Sequence, residues 1–95
     1  LPDCSQLPEW VRWIAQDADG TWWAYEHEPN EGAASWYENE VGRSIKLTKG
    51  QPAAGWKRQI YKFKETINNY EIYLKNAQKL TRILPKPEGD KNAAE

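Results

Sequence analysis

Residues 56–84 read WKRQIYKFKETINNYEIYLKNAQKLTRIL, and the conformation of this stretch decides the architecture of the chain. Trp56, Ile60, Phe63, Ile67, Tyr70, Leu74, Ala77, Thr81 and Leu84 recur at alternating steps of four and three, and only Thr81 is not apolar. A seven-residue apolar repeat is the seam of a helix that packs along one stripe. The spacing predicts one long C-terminal helix over residues 55–84. Tyr73 and Leu80 flank the stripe and widen it from Tyr70 onward. Pro85 forbids continuation, Pro85-Lys86-Pro87-Glu88-Gly89 reads as extended linker, and residues 85–95 read as a disordered tail. Two alternatives stay open. The helix breaks near Asn68-Asn69, where propensity is weakest, or Ile60–Lys64 is a strand, since a five-residue piece reads either way.

Upstream the apolar period is two. Trp10–Gln16 is rich in strand-favouring residues, and Asp17-Ala18-Asp19-Gly20 is a hairpin turn in which Gly supplies a positive φ. Thr21–His27 follows as a strand with large aromatics on both faces, the mark of a central strand or of a face kept for a partner. Ser35–Glu38 and Arg43–Thr48 read as two more strands, with Ile45 and Leu47 on one face of the last. The expected fold is α+β: a four-stranded antiparallel β-meander over residues 10–48, packed against the long helix. The expected core is Trp13, Trp23, Tyr25, Ile45, Leu47, Ile60, Phe63 and Ile67.

A chain of 95 residues makes one domain, residues 1–95. Charged residues at 28% and a mean hydropathy of −0.96 indicate a soluble protein. No apolar run approaches the roughly 20 residues of a membrane span, and no leader pattern opens the sequence. Cys4 is the only cysteine, which excludes an intrachain disulfide. Six Trp supply large aromatic areas that build a core or anchor a partner. Residues 1–50 hold nine acids against four bases, and residues 51–95 nine bases against five acids. An acidic half therefore precedes a basic one.

Chemistry-bearing patterns are sparse. Asp17, Asp19, Thr21 and Glu28 have the offsets of a calcium loop, but Trp22 stands where that loop requires Gly. Lone His27 and lone Cys4 make no zinc cluster, and no nucleophile or phosphate-loop motif is present, so neither enzyme, metal nor cofactor is expected. A helix over Trp56–Leu84 would span about 43 Å at roughly 1.5 Å per residue, against a radius of gyration of roughly 12 Å for such a domain. Its overhanging stripe of Tyr70, Tyr73, Leu74, Ala77, Leu80 and Leu84 calls for cover by a second copy or a foreign protein. Trp10, Trp22 and Trp36 are candidate aromatic anchors, and Trp22 or Trp36 could also stack on a small-molecule ring. A basic helix face of Lys57, Arg58, Lys62, Lys75, Lys79 and Arg82 offers an alternative, a nucleic-acid interface. The acids around Trp10–Trp36 would repel phosphates from the aromatic sheet.

Two resemblances follow from these residues. Leu7, Pro8, Trp10, the Trp22-Trp23 pair, His27 and Trp36 resemble WW domains, three-stranded meanders that bind proline-rich peptides. The long link from His27 to Trp36, and Glu38-Asn39 in place of the closing Pro, depart from that pattern. More broadly, Trp10–Trp13, Asp19-Gly20, Trp22-Trp23, Tyr25-Glu26, Glu28-Pro29, Trp36 and Pro52 with Trp56 look like small Trp-rich accessory proteins of tailed bacteriophages, over residues 10–60. That resemblance implies a short, soluble protein in the host cytoplasm that inhibits or redirects a host or defence protein. It transfers no site residue.

Overall fold

The Asp17–Gly20 turn closes a hairpin as its chemistry requires. Gly20 adopts a φ of 95°, a left-handed conformation that side chains resist, and a Cβ there would collide with the Gly50 carbonyl. The Asp19 carboxylate accepts the Thr21 amide at 2.9 Å and so fixes the turn. The computed structural model describes residues 1–65, 69–75 and 80–85, and over these the protein is built of β-strands. The hairpin joins β1 (Trp13–Gln16) to β2 (Thr21–Tyr25). After it come β3 (Asn30–Glu31), β4 (Trp36–Tyr37) and β5 (Ser44–Lys49). A short 3-10 turn at Trp56–Arg58 leads into β6 (Ile60–Glu65), β7 (Asn69–Leu74) and β8 (Leu80–Pro85).

Six strands form one antiparallel sheet in the order β5-β2-β1-β6-β7-β8, and β3 and β4 pair separately as a small ribbon. The expected long helix is overturned: among the described residues there is no α-helix, and the fold is all-β rather than α+β. The strand alternative for Ile60–Lys64 corresponds to β6. The expected meander is corrected too, because β5 skips the ribbon to pair with β2, and β6 crosses to the far side of β1. Ile67, Asn68, Ala77 and Lys79 lie outside the described residues, as does the chain beyond Pro85.

The seven-residue spacing misleads because the sheet is covered on both faces. Cross-strand partners share a face. Ile14 lies opposite Ala24 and Tyr61, and Phe63 opposite Ile72, so these belong to face one. Ala15 lies opposite Trp23 and Ile60, and Trp13 opposite Tyr25, which makes face two. Ile60 and Phe63 sit on opposite faces, yet both are buried. When each face has its own core, the apolar positions of a strand need not alternate, and a step of three is as acceptable as a step of two. The β-branched and aromatic residues of NYEIYL then decide for strand over helix.

Face one is covered by the N-terminal segment, where Cys4, Leu7, Trp10 and Val11 pack against Ile14, Trp22, Ala24, Phe63, Tyr70 and Ile72. Face two is covered by Trp36 from β4 and Trp56 from the 3-10 turn, which meet edge to face at 6.0 Å over Ala15, Tyr25 and Ile60. Trp36 is also pinned by polar bonds. Its indole N–H donates to the Gln16 carbonyl and its backbone N–H to the Asp17 carboxylate, each at 2.9 Å. The buried Gln16 amide donates in turn to the carbonyls of Gly20 and Gln51 at 3.2 Å.

Ile72 separates the two conformations experimentally. It falls outside the helical stripe but is fully buried on face one. Ile72→Ala should lower the unfolding free energy by about 2–5 kcal/mol in urea titration. A change near zero would mean that the residue is exposed, as a helix would leave it.

Candidate functional site

Carboxylates crowd one end of face two. A cleft of about 370 Å³ opens there between β4 and the start of β5. Its walls are Trp23, Tyr25, Trp36 and Tyr37, and its acids are Asp17, Glu38 and Glu40. Ser35, Gly42 and Ser44 complete the lining. The local sequence explains the arrangement. In Trp36-Tyr37-Glu38, Trp36 turns into the core while Tyr37 stays exposed, and Glu38 follows as a half-buried residue against Gly42. A Cβ at Gly42 would collide with both the Glu38 carboxylate and the His27 ring, so the absent side chain is what lets the carboxylate fit.

Glu38 is the most unusual group of the site. Both of its carboxylate oxygens are covered from solvent, and among the described residues neither has a hydrogen-bond donor. An uncompensated buried carboxylate is costly. Burial also raises the Asp17 carboxyl above its ordinary range, against the lowering effect of the Trp36 amide bond. Tyr25 is pushed well above the usual phenol range, first by burial and then by the charges of Asp17 and Glu38. The cleft is thus a negative, aromatic-walled site in which a cation would relieve several groups at once. Among the described residues no cluster of three or more His, Cys, Asp or Glu has metal-binding geometry.

Nearby acids are already matched. Arg43 grips Glu26 with Nε at 3.1 Å, with a terminal nitrogen at 2.9 Å and with its backbone N–H at 3.0 Å. Those bonds hold the Glu26 carboxyl down at about 2. The same guanidinium lies 5.1 Å from the Trp10 ring, so Arg43 clamps the entry to β1 against the entry to β5.

The residues singled out from the sequence are distributed differently. Of the aromatic anchors, Trp22 and Trp36 are core residues at 7% exposure, and Trp10 is half-buried under Arg43. The proposed stripe is not one surface: Tyr70 is buried on face one, Tyr73 pairs with Lys62 on face two, and Leu80 and Leu84 belong to β8. The basic set is likewise dispersed. Lys57 pairs with Glu31 at 3.5 Å and lies over Trp56, Lys62 lies over Trp13, and Lys75 pairs with Glu28. Arg58 is exposed at the end of the 3-10 turn, and Arg82 lies in β8 opposite Ile72. The cleft itself was signalled only by acids interleaved with aromatics in Trp36-Tyr37-Glu38-Asn39-Glu40. Asp17–Gly20 is a hairpin turn, with the Asp17 carboxylate on the Trp36 amide.

Compared with protein-family models, curated proteins and solved structures, the chain matches none of them. No helix among the described residues is long and apolar enough to cross a membrane.

Two shifted carboxyls give opposite pH dependences. Glu26 is lowered in the fold, so its stabilisation is present above the ordinary Glu value of 4.5 and is lost as pH falls toward about 2. Asp17 is raised, so its ionisation opposes folding and its contribution is lost as pH rises through the folded value. In urea titrations across that range, Glu26→Gln should flatten the acid loss of stability. Asp17→Asn, which keeps an acceptor for the Trp36 amide, should remove the opposing trend.

Proposed function

We propose that the chain is a non-enzymatic protein-interaction module whose acidic, aromatic cleft receives a cationic side chain from a protein partner. The carrying observation is the Glu38 carboxylate, covered and without a donor among the described residues, beside four aromatic walls. A lysine ammonium that displaces the cover over Glu38 would bring three donors and a charge to it, with cation–π contact to the rings. Tyr37 and Val41 stand exposed near the rim and supply apolar contact area around that charge. The same negative charge disfavours a nucleic acid at this face. The resemblance to Trp-rich phage accessory proteins supports a host or defence protein as the partner, met in the bacterial cytoplasm.

Glu38→Gln preserves shape and removes the charge. Titration of a lysine-containing peptide, read by the fluorescence of Trp23 and Trp36, should show binding that weakens with salt in the parent chain. In Glu38→Gln that binding should fall by about tenfold or more, as loss of a charge-assisted hydrogen bond implies. Urea unfolding of the variant should show stability held or raised. Equal peptide affinity in both proteins would reject the cleft as the site.

A further inference from the structure

β5 is an edge strand with a cleft on each side of it. Its inner edge pairs with β2, and among the described residues no strand pairs with its outer edge. Ser44 lies opposite Tyr25 and Lys46 opposite Trp23, so both belong to face two, where the acidic cleft opens beside Ser44. Ile45 lies opposite Ala24 on face one. There a second groove of about 420 Å³ is lined by the apolar Pro2, Leu7, Ile45 and Leu47 and by the polar Asp3, Gln6, Lys46 and Thr48. An extended strand added along this edge sends alternate side chains to the two faces. It would put one side chain into the acidic cleft and the next into the second groove, beside Ile45 and Leu47.

The backbone is set up for such an addition. The Glu26 amide donates to the Arg43 carbonyl at 2.9 Å. Antiparallel alternation then turns the amide and carbonyl of Ser44 and of Lys46 away from β2, toward the open edge. The regular stretch ends at Leu47, which is the extra residue where Trp22 faces Thr48 and Trp23 faces Lys46. The usable edge is therefore Ser44-Ile45-Lys46, and it calls for a cationic residue beside Ser44 and an apolar one beside Ile45.

That is the pattern of β5 itself. We propose that the occupant is a second copy of this chain, paired antiparallel through β5 about a two-fold axis at Ile45. This deepens the reading of the cleft given above and rests on it. In this register Ser44 faces the second copy's Lys46, and the outward-turned groups of both exchange hydrogen bonds. The second copy's Lys46 then lies on face two beside Asp17, Glu38 and Glu40, and each copy completes the other's site. The two Ile45 side chains meet on face one, beside the second groove of each copy. Shifting the axis to Lys46 would set two lysines directly opposite each other, which like charge disfavours. Lysines on an edge strand ordinarily repel another edge. Here the neighbouring cleft supplies the carboxylates that turn the same residue into a register key.

Sedimentation of the full chain over a concentration series tests this, with Lys46→Ala and Glu38→Gln beside it. The parent chain should dimerise, more weakly as salt rises, and each variant should dimerise about tenfold or more weakly, the worth of one charged hydrogen bond. Oxidation of Ile45→Cys adds a reading independent of affinity. Facing residues at a non-hydrogen-bonded antiparallel pair have the short separation a disulfide needs. Ile45→Cys should cross-link quickly, and Thr48→Cys should not. Lys46→Ala, its cleft open, should take the lysine peptide more tightly than the parent. A parent chain that stays monomeric, with Ile45→Cys cross-linking no faster than Thr48→Cys, overturns the proposal. If such a monomer still binds the peptide through Glu38, the occupant is a foreign strand and the cleft reading stands. If Lys46→Ala fails to bind it, both fall.

Discussion

The structure depends on covering both faces of the β1–β2 hairpin at once. Trp22 and Trp23 are adjacent in sequence and so must point to opposite sides of the sheet. Neither side can be left to water without exposing an indole. The N-terminal segment closes over one, and Trp36 with Trp56 closes over the other. A chain of 95 residues has little apolar area to spare, and six Trp are how it furnishes two thin cores instead of one thick one. The layers are tied at the Gln16–Asp17 corner, where the Trp36 bonds bring the ribbon down onto the sheet.

This two-sided burial explains what was legible in the sequence. The Asp17–Gly20 turn, the strand character of Thr21–Tyr25, the shared face of Ile45 and Leu47 and the burial of Tyr25, Ile60 and Phe63 all follow from local chemistry, and the structure shows each of them. The C-terminal stretch was misread because its cue, apolar spacing, is informative only when one face is buried. Ile60 and Phe63 report two different cores, and their separation of three carries no helical meaning. Ile72, the most buried residue of β7, fell outside the stripe for the same reason. The order β5-β2-β1-β6 is set by contacts between distant segments, and adjacency in sequence does not encode them.

The cleft was harder to see than the fold. Its acids come from the hairpin turn and from the segment between β4 and β5, and its walls from β2 and β4. Only the interleaving of acids and aromatics near Trp36 hinted at it. Trp22 and Trp36 drew attention as anchors because Trp is common in interfaces, but in a small protein the demand for core comes first. What remains for a partner is smaller and more polar: Tyr37, Glu38, Glu40 and the edge at Ser44. The basic residues are spent differently from the expected face, since Lys57, Lys62 and Lys75 each lie against an acid or a ring of the same chain.

The pairing of Trp36 with Trp56 has an optical consequence. Two indoles 6.0 Å apart with planes at 85° are close enough for their electronic transitions to couple. The far-ultraviolet dichroism of this protein therefore contains an exciton couplet from the aromatic lid superimposed on the backbone signal. Secondary-structure content deduced from that spectrum by backbone reference curves would be distorted. The couplet itself reports whether the ribbon is seated on the sheet, and so gives a spectroscopic handle on the closure of face two that is separate from the melting of the strands.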